Sequence, residues 1–213
     1  MQSDETKKKV INASIELFNQ YGCKAITMDK ISSSLHISKR TLYELFDNKE
    51  ALLLECITEV HRTLGNERLE IIKKTQEPIL MALFIIRNET SRSIRYSRIL
   101  NDAEHFYPEL TVRLLKKFSD RFKQILINIL TEANDNGDLR PDINIRETVD
   151  IIALNISIGS VSFNKNNLAS EENAHLIRES CFSFLRGLLS IKAIQRYEQN
   201  EMEFRKFVLS NNL

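Results

Sequence analysis

The sequence predicts an all-α fold. Five glycines and three prolines among 213 residues leave few turn positions, so helices run long. No stretch alternates apolar and polar residues as a half-buried strand would. Apolar residues instead recur at i, i+3 and i+4 along most of the chain. Residues 1–50 hold the short helices described next, and residues 51–213 read as a helical bundle, with no obvious linker between them.

The elements of the first unit follow from their caps and stripes. A first helix carries Lys7, Lys8 and Lys9 near its start and Leu17 and Phe18 further on. Thr27 is a helix N-cap, and Asp29 then lies near the positive end of the helix dipole. Ile31 and Leu35, one turn apart, form the inner stripe of a helix of two turns, which His36-Ile37-Ser38 breaks. Ser38 caps the next helix, with Ile37 plugging inward just before it. Between Lys39 and Phe46 the inward set is Leu42, Leu45 and Phe46. Lys39, Arg40, Thr41, Tyr43 and Glu44 are left outside. Asp47 and Glu50 read as a capping box opening a long apolar helix through Leu52, Leu53, Cys56, Ile57 and Val60.

Two short helices with a tight turn and a polar outer face suit docking into a DNA major groove. There the first turn of the second helix reaches base edges, which makes Lys39 and Arg40 candidate base contacts. Tyr43 and Lys49 are candidate phosphate contacts, the first through an outward hydroxyl and the second at a helix start where a cation does not help the dipole. Thr27, Ser38 and Thr41 complete the candidate DNA-binding set; Thr27 serves equally as a cap. Glu44 is either an acceptor for a cytosine amino group or a charge at the groove's edge.

This stretch resembles the DNA-binding domain of the TetR (tetracycline repressor) family of bacterial transcriptional regulators. Ala13, Leu17, Phe18, Gly22, Thr27, Ile31, Ser38, Thr41, Leu42, Tyr43, Phe46, Lys49 and Leu52 carry the resemblance over the first quarter of the chain. It implies an all-helical homodimer whose larger C-terminal domain both dimerises and binds a small molecule. Two positions depart from the pattern. The turn reads Leu35-His36 where a small residue and glycine are usual, and histidine tolerates a left-handed backbone better than most residues. Position 45, often polar in the family, is Leu45, which removes one phosphate contact.

The net charge of +1 excludes a general polyanion binder with a basic surface. Around the candidate interface Lys24, Lys30, Lys39, Arg40 and Lys49 face Asp29, Glu44 and Asp47, a modest local excess that a dimer doubles on one face. Cys23, Cys56 and Cys181 are scattered in apolar helical patterns and read as buried thiols of a reducing cytoplasm rather than as redox sensors. No apolar run is long enough to span a bilayer, and MQSDETKKKV lacks the apolar core of a signal peptide, so a cytoplasmic location is expected.

Beyond residue 50 the helix opened by Asp47 continues through Gly65 toward Ile72. Pro78 starts a helix to about Tyr96 with Leu80, Leu83, Phe84 and Ile86 inward, and a short segment, Arg98 to Phe106, follows. Pro108 starts the longest amphipath, with Leu114, Leu115, Phe118, Phe122, Ile125, Leu126, Ile129 and Leu130 on one side; Gly137 ends it. Asn144 to Glu147 is a further capping box, before a helix apolar nearly all round up to Val161. The polar break Asn164–Asn167 separates it from a helix over Glu171 to about Leu189. Their surplus apolar surface fits a pair meeting its copy in a second subunit, with Ile152, Ile156, Leu176, Cys181, Phe184, Leu185 and Leu188 as candidate interface residues. Periodicity alone equally allows a fully internal helix.

Phe84, Phe106, Phe118, Phe122 and Phe163, with Asn155 as a polar residue in the most apolar helix, are the candidate lining of a ligand cavity. They lie, with Tyr107, on helices that surround such a cavity in the family. The same aromatic stripe is ordinary core if no cavity forms. His61, His105 and His175 have no metal-site spacing with the cysteines, and there is no Gly-rich phosphate loop or nucleophile elbow. An all-helical enzyme would need a polar catalytic cluster that the sequence does not contain. The expected function is a regulator, typically a repressor, leaving a palindromic operator when a small effector binds; an activator or partner-regulated member is the alternative. No cofactor and no metal are expected.

Overall fold

The structure, a computed structural model, describes residues 2–165 and 171–199, with side chains described at 4–91, 95–157, 175–177 and 179–196. Ten helices make up those residues: α1 (Gln2–Tyr21), α2 (Met28–Ser34), α3 (Lys39–Leu45), α4 (Lys49–Lys74), α5 (Pro78–Arg95), α6 (Ser97–Phe106), α7 (Pro108–Asp135), α8 (Ile145–Lys165), α9 (Glu171–Leu188) and α10 (Ile191–Gln199). The only strand-like feature among them is one isolated bridge, Leu139 to Leu189.

Two apolar cores share α4. The first gathers Val10, Ile15 and Phe18 of α1, Met28 and Ile31 of α2, Leu42 of α3 and Phe46, against Leu52, Leu53, Cys56, Ile57, Val60 and Leu64 of α4. Ile99 and Ala103 of α6 complete it, both fully buried. The second joins Ile79, Ala82, Ile85 and Ile86 of α5, Phe122, Leu126 and Leu130 of α7, Val149, Ile152 and Ile156 of α8, and Cys181 and Leu185 of α9. Ile71 and Ile72, at the far end of α4, pack against this second core. Residues 51–64 and 99–103 therefore belong to the core beneath the N-terminal helices, and no linker interrupts the chain at residue 50.

The helix ends explain the chain reversals. α2 ends with Leu35 as its C-cap and His36 left-handed at φ 53°. The His36 amide donates to the Ser33 carbonyl at 3.3 Å and the Ile37 amide to the Ser32 carbonyl at 3.1 Å. This paired arrangement closes a helix through a left-handed residue. The histidine read from the sequence as tolerable in that conformation adopts it. α7 stops in the same way at Gly137, φ 75°, whose amide reaches the Asn134 carbonyl while Asp138 reaches Ala133. The α4 cap differs from expectation by one residue. Asn48, not Asp47, is extended and accepts from the Ala51 amide at 2.8 Å. Both residue types cap well, and the buried Phe46 next to them consumes one more residue of extended chain before the helix can begin.

The inward stripe of α5 is also shifted. Ile79, Ala82, Ile85 and Ile86 are buried, whereas Leu80, Leu83 and Phe84 are half-buried on its flank. The stripe follows Pro78 and Ile79 into the core and continues to Thr90, whose hydroxyl bonds back to the Ile86 carbonyl at 2.8 Å.

α6 is bound to the N-terminal unit by polar contacts. Asp102 accepts the Cys23 amide at 2.8 Å, Arg98 donates to the Gln20 carbonyl at 2.7 Å, and the Asn19 side chain reaches the Arg95 carbonyl. Gly22, φ 87°, lies beneath: a Cβ there would stand 2.8 Å from the Asp102 carboxylate. Gly22→Ala is expected to destabilise the protein by about 1–3 kcal/mol through left-handed strain and displacement of Asp102. Urea denaturation of the two proteins measures this, and equal midpoints would contradict it.

Candidate functional site

α3 stands on its buried Leu42 and presents the opposite face to solvent. Ser38 caps it: its hydroxyl accepts the Thr41 amide at 3.0 Å and lies 2.8 Å from the Thr41 hydroxyl. Tyr43 is half exposed, and Arg40 has 88% of its side chain in solvent. Ile37 and Leu45 are partly buried against the first core, as their spacing predicts. Thr27 Oγ1 accepts from the Lys30 amide at 3.2 Å, so its capping role is occupied in this structure. Lys49 is half-buried in the first turn of α4.

Acidic neighbours hold the two cations of α3. Lys39 Nζ lies 2.7 Å from Asp29 and Arg40 Nε 2.8 Å from Glu44. Exposed pairs of this kind contribute about 0–1 kcal/mol, so a phosphate or guanine edge can displace the carboxylates at little cost. Two of the three lysines at the start of α1 are likewise engaged, Lys7 with Glu55 and Lys9 with Glu5, each at 2.8 Å.

A cavity of about 200 Å³ opens beside the second half of α4, lined by His61 and Arg68 of α4, Glu89 of α5, Leu115, Phe118, Ser119 and Phe122 of α7, and Ala153, Ile156 and Ser157 of α8. Of the residues expected to line it, Phe118 and Phe122 do. Phe84 is half-buried elsewhere on α5, and Asn155 is not part of the lining. Phe106 is 42% exposed at the end of α6, where the Lys24 ammonium sits 5.4 Å from its ring. The Phe163 side chain lies outside the described residues. Aromatic periodicity marks which side of a helix is apolar, not where two apolar sides fail to meet, and that is why Phe84, Phe106 and Asn155 lie away from this cavity.

What sequence reasoning overlooked is polar. Arg68 Nη1 donates to Glu89 at 2.7 Å, with side-chain exposures of 4% and 12%. Beside this pair Asn88 donates to Glu67 at 3.0 Å, between the same two helices. Burial pushes the Glu89 carboxyl upward, against the pull of Arg68. Burial and the nearby Arg68 charge take His61 down to about 4, leaving it neutral at pH 7. A signal was available: position 68 continues the buried stripe of Leu53, Ile57, Val60 and Leu64, and position 89 that of Ile85. Opposite charges on two inward stripes announce a buried pair.

The candidate interface residues fall differently from expectation. Ile152, Ile156, Cys181, Leu185 and Leu188 are between 0% and 8% exposed within a single chain and belong to its second core. Phe184 packs partly against that core. They have little surface left for another subunit. Among the described residues, the exposed large apolar side chains of α8 and α9 are Ile151 at 44%, Leu154 at 57% and Leu176 at 61%. Of the predicted set only Leu176 belongs to that exposed group.

The thiols of Cys23 and Cys56 are buried, and burial, aided by Asp102, pushes Cys23 up to about 12. Both are thus poor nucleophiles. Among the described residues no three His, Cys, Asp or Glu side chains gather to hold a metal ion, and no helix is long and apolar enough to cross a membrane.

Residues 10–56, the first core's helices, match the family model described as bacterial regulatory proteins, tetR family. Over 197 residues the chain is 21% identical to the HTH-type transcriptional regulator YdeS of Bacillus subtilis (strain 168), covering 91% of this chain and 95% of the relative. Over 46 residues it is 44% identical to IcaR, the negative transcriptional regulator of the biofilm operon icaADBC in Staphylococcus epidermidis, covering 22% of this chain and 25% of IcaR. A crystal structure of a putative transcriptional regulator from Saccharomonospora viridis, in complex with choline, superposes with a TM-score of 0.77 at 13% identity. The match covers 88% of this chain and 99% of that one, a likeness of fold.

The buried pair predicts an asymmetric mutational response. Arg68→Met should cost about 3–5 kcal/mol by leaving the Glu89 charge uncompensated, whereas Arg68→Met with Glu89→Leu should recover most of the loss. A double-mutant cycle by chemical denaturation checks this; additive losses would refute the pairing.

Proposed function

The chain belongs to the TetR family of bacterial transcriptional regulators, and from that premise we propose that it is a homodimeric repressor released from a palindromic operator by a small-molecule effector. The observation that carries the reading is α4. One end of this helix holds Lys49 beside α3, and its stretch from the middle onward, His61 to Arg68, forms a wall of the cavity. Two recognition helices enter successive major grooves only with their centres about 34–36 Å apart. A ligand seated against α4 and α7 that favours a different spacing by a few kcal/mol empties the operator. The negative regulator IcaR supports repression, and the choline-bound neighbour supports a small-molecule site in this fold. Such a protein acts in the cytoplasm, on double-stranded DNA, without a cofactor. Activation through the same DNA contacts is the alternative, and the position of the operator relative to its promoter separates the two.

In this reading Arg40 and Lys39 leave their acidic partners for base edges, Tyr43 and Lys49 hold phosphates, and Thr27, Ser38 and Thr41 order the backbone around them. Selection of bound sequences from a random DNA pool supplies the operator. On it, Lys49→Ala should weaken binding of every sequence and reduce the slope of log affinity against log salt by about one unit. Arg40→Ala should relax preference at particular base pairs, at about 1–3 kcal/mol if it reads a guanine. Unchanged titrations for both folded variants would refute the recognition-helix assignment.

The exposed Ile151, Leu154 and Leu176 supply the dimer face of α8 and α9 in this proposal, an isologous contact. Leu154→Glu should shift the sedimentation equilibrium toward monomer without lowering the helical signal, since the position is open within one chain. A wild-type monomer at micromolar concentration would rule the interface out.

A further inference from the structure

The walls of the cavity are two facing columns. His61 and Arg68 are two turns apart on one side of α4, and Phe118 and Phe122 are one turn apart on α7. The His61 and Phe118 rings stack with centroids 4.0 Å apart, and the Arg68 guanidinium lies 5.6 Å from the Phe122 centroid. Arg68 is 3% exposed, yet among the described residues its Nε–H has no acceptor; the buried Nε2 of His61 has no partner either. A buried donor without an acceptor carries a desolvation penalty that a bound oxygen removes.

Charge narrows the class of that oxygen. Arg68 and Glu89 neutralise each other at 2.7 Å. A carboxylate at Nε would stand near Glu89, and an ammonium group would stand near Arg68, each as an extra charge in a nearly dry site. Size narrows it further. About 200 Å³ is below the ~300–1,000 Å³ of pockets that take drug-sized molecules. We propose that the cavity binds a compact, uncharged single-ring compound whose carbonyl-type oxygen accepts from Arg68 Nε while its ring packs against Phe118 and Phe122. This rests on the reading of the protein as a ligand-released regulator and names the effector's class.

Isothermal titration of the full-length protein with three single-ring probes tests it: acetophenone, benzoate and benzyltrimethylammonium. Acetophenone should bind at least ten-fold more tightly than either ion. Arg68→Lys, which keeps a cation beside Glu89 but lacks Nε, should lose about ten-fold for acetophenone. Benzoate or the ammonium ion binding as well as acetophenone would overturn the assignment, as would no heat from any probe up to its solubility limit. So would unchanged acetophenone affinity in a folded Arg68→Lys variant; if that variant unfolds, the wild-type ranking of the probes decides. Operator titrations on the same samples separate the two readings. Acetophenone bound with the operator retained removes the release mechanism and leaves the cavity chemistry standing. Release by a charged compound acting at this cavity does the reverse.

Discussion

Everything in this molecule depends on α4 being one uninterrupted helix. Its 26 residues span about 39 Å. Leu52, Leu53, Cys56, Ile57, Val60 and Leu64 are inseparable from the core that supports α3, while Arg68, Ile71 and Ile72 touch α5 and the second core. Close-packed side chains along such a rod transmit displacement rather than absorb it. Gly65 does not break it: the helix runs through that position, with open space beside it.

α6 adds a second tie between the two cores. Asp102 and Arg98 satisfy backbone groups at the end of α1, and Asn19 and Arg95 join the same seam. α6 is also continuous with the start of α7 through Tyr107, whose carbonyl accepts the Thr111 hydroxyl at 3.0 Å. The N-terminal helices are therefore gripped from α4 on one side and from the α6–α7 corner on the other. A shift of α7 relative to α4 loads both grips at once.

How much of this was legible in the chain differs by region, for physical reasons. The helix-turn-helix was readable because its determinants are local: Ser38 caps its own helix, Ile37 plugs beside it, and His36 takes the left-handed turn. The start of α4 was ambiguous by one residue because Asp47 and Asn48 are both good caps, and only the seating of Phe46 chooses between them. On α8 the surplus of apolar residues was visible, but a helix apolar all round does not reveal which face its own neighbours take. Ile152 and Ile156 went inward, and Ile151 and Leu154 remained outside. The cavity was least legible, because it is a gap left among four helices and its polar wall pairs residues 21 positions apart.

The seam between α1 and α6 also sets an order of events during synthesis. The polar ties between residues 19–23 and 95–102 are separated by 76 to 79 positions in the chain. When α1 to α4 have left the ribosome, the Cys23 amide still lacks Asp102, and the pocket for Ile99 and Ala103 is open on the first core. At about 5–20 residues per second, the 29 residues from Lys74, the end of α4, to Ala103 take about 1.5–6 s to be added. During that interval the N-terminal helices are an incomplete apolar unit. The nascent chain acquires its finished helix-turn-helix only with the first part of the bundle, so a truncated translation product ending before α6 carries the recognition residues without the support that orients them.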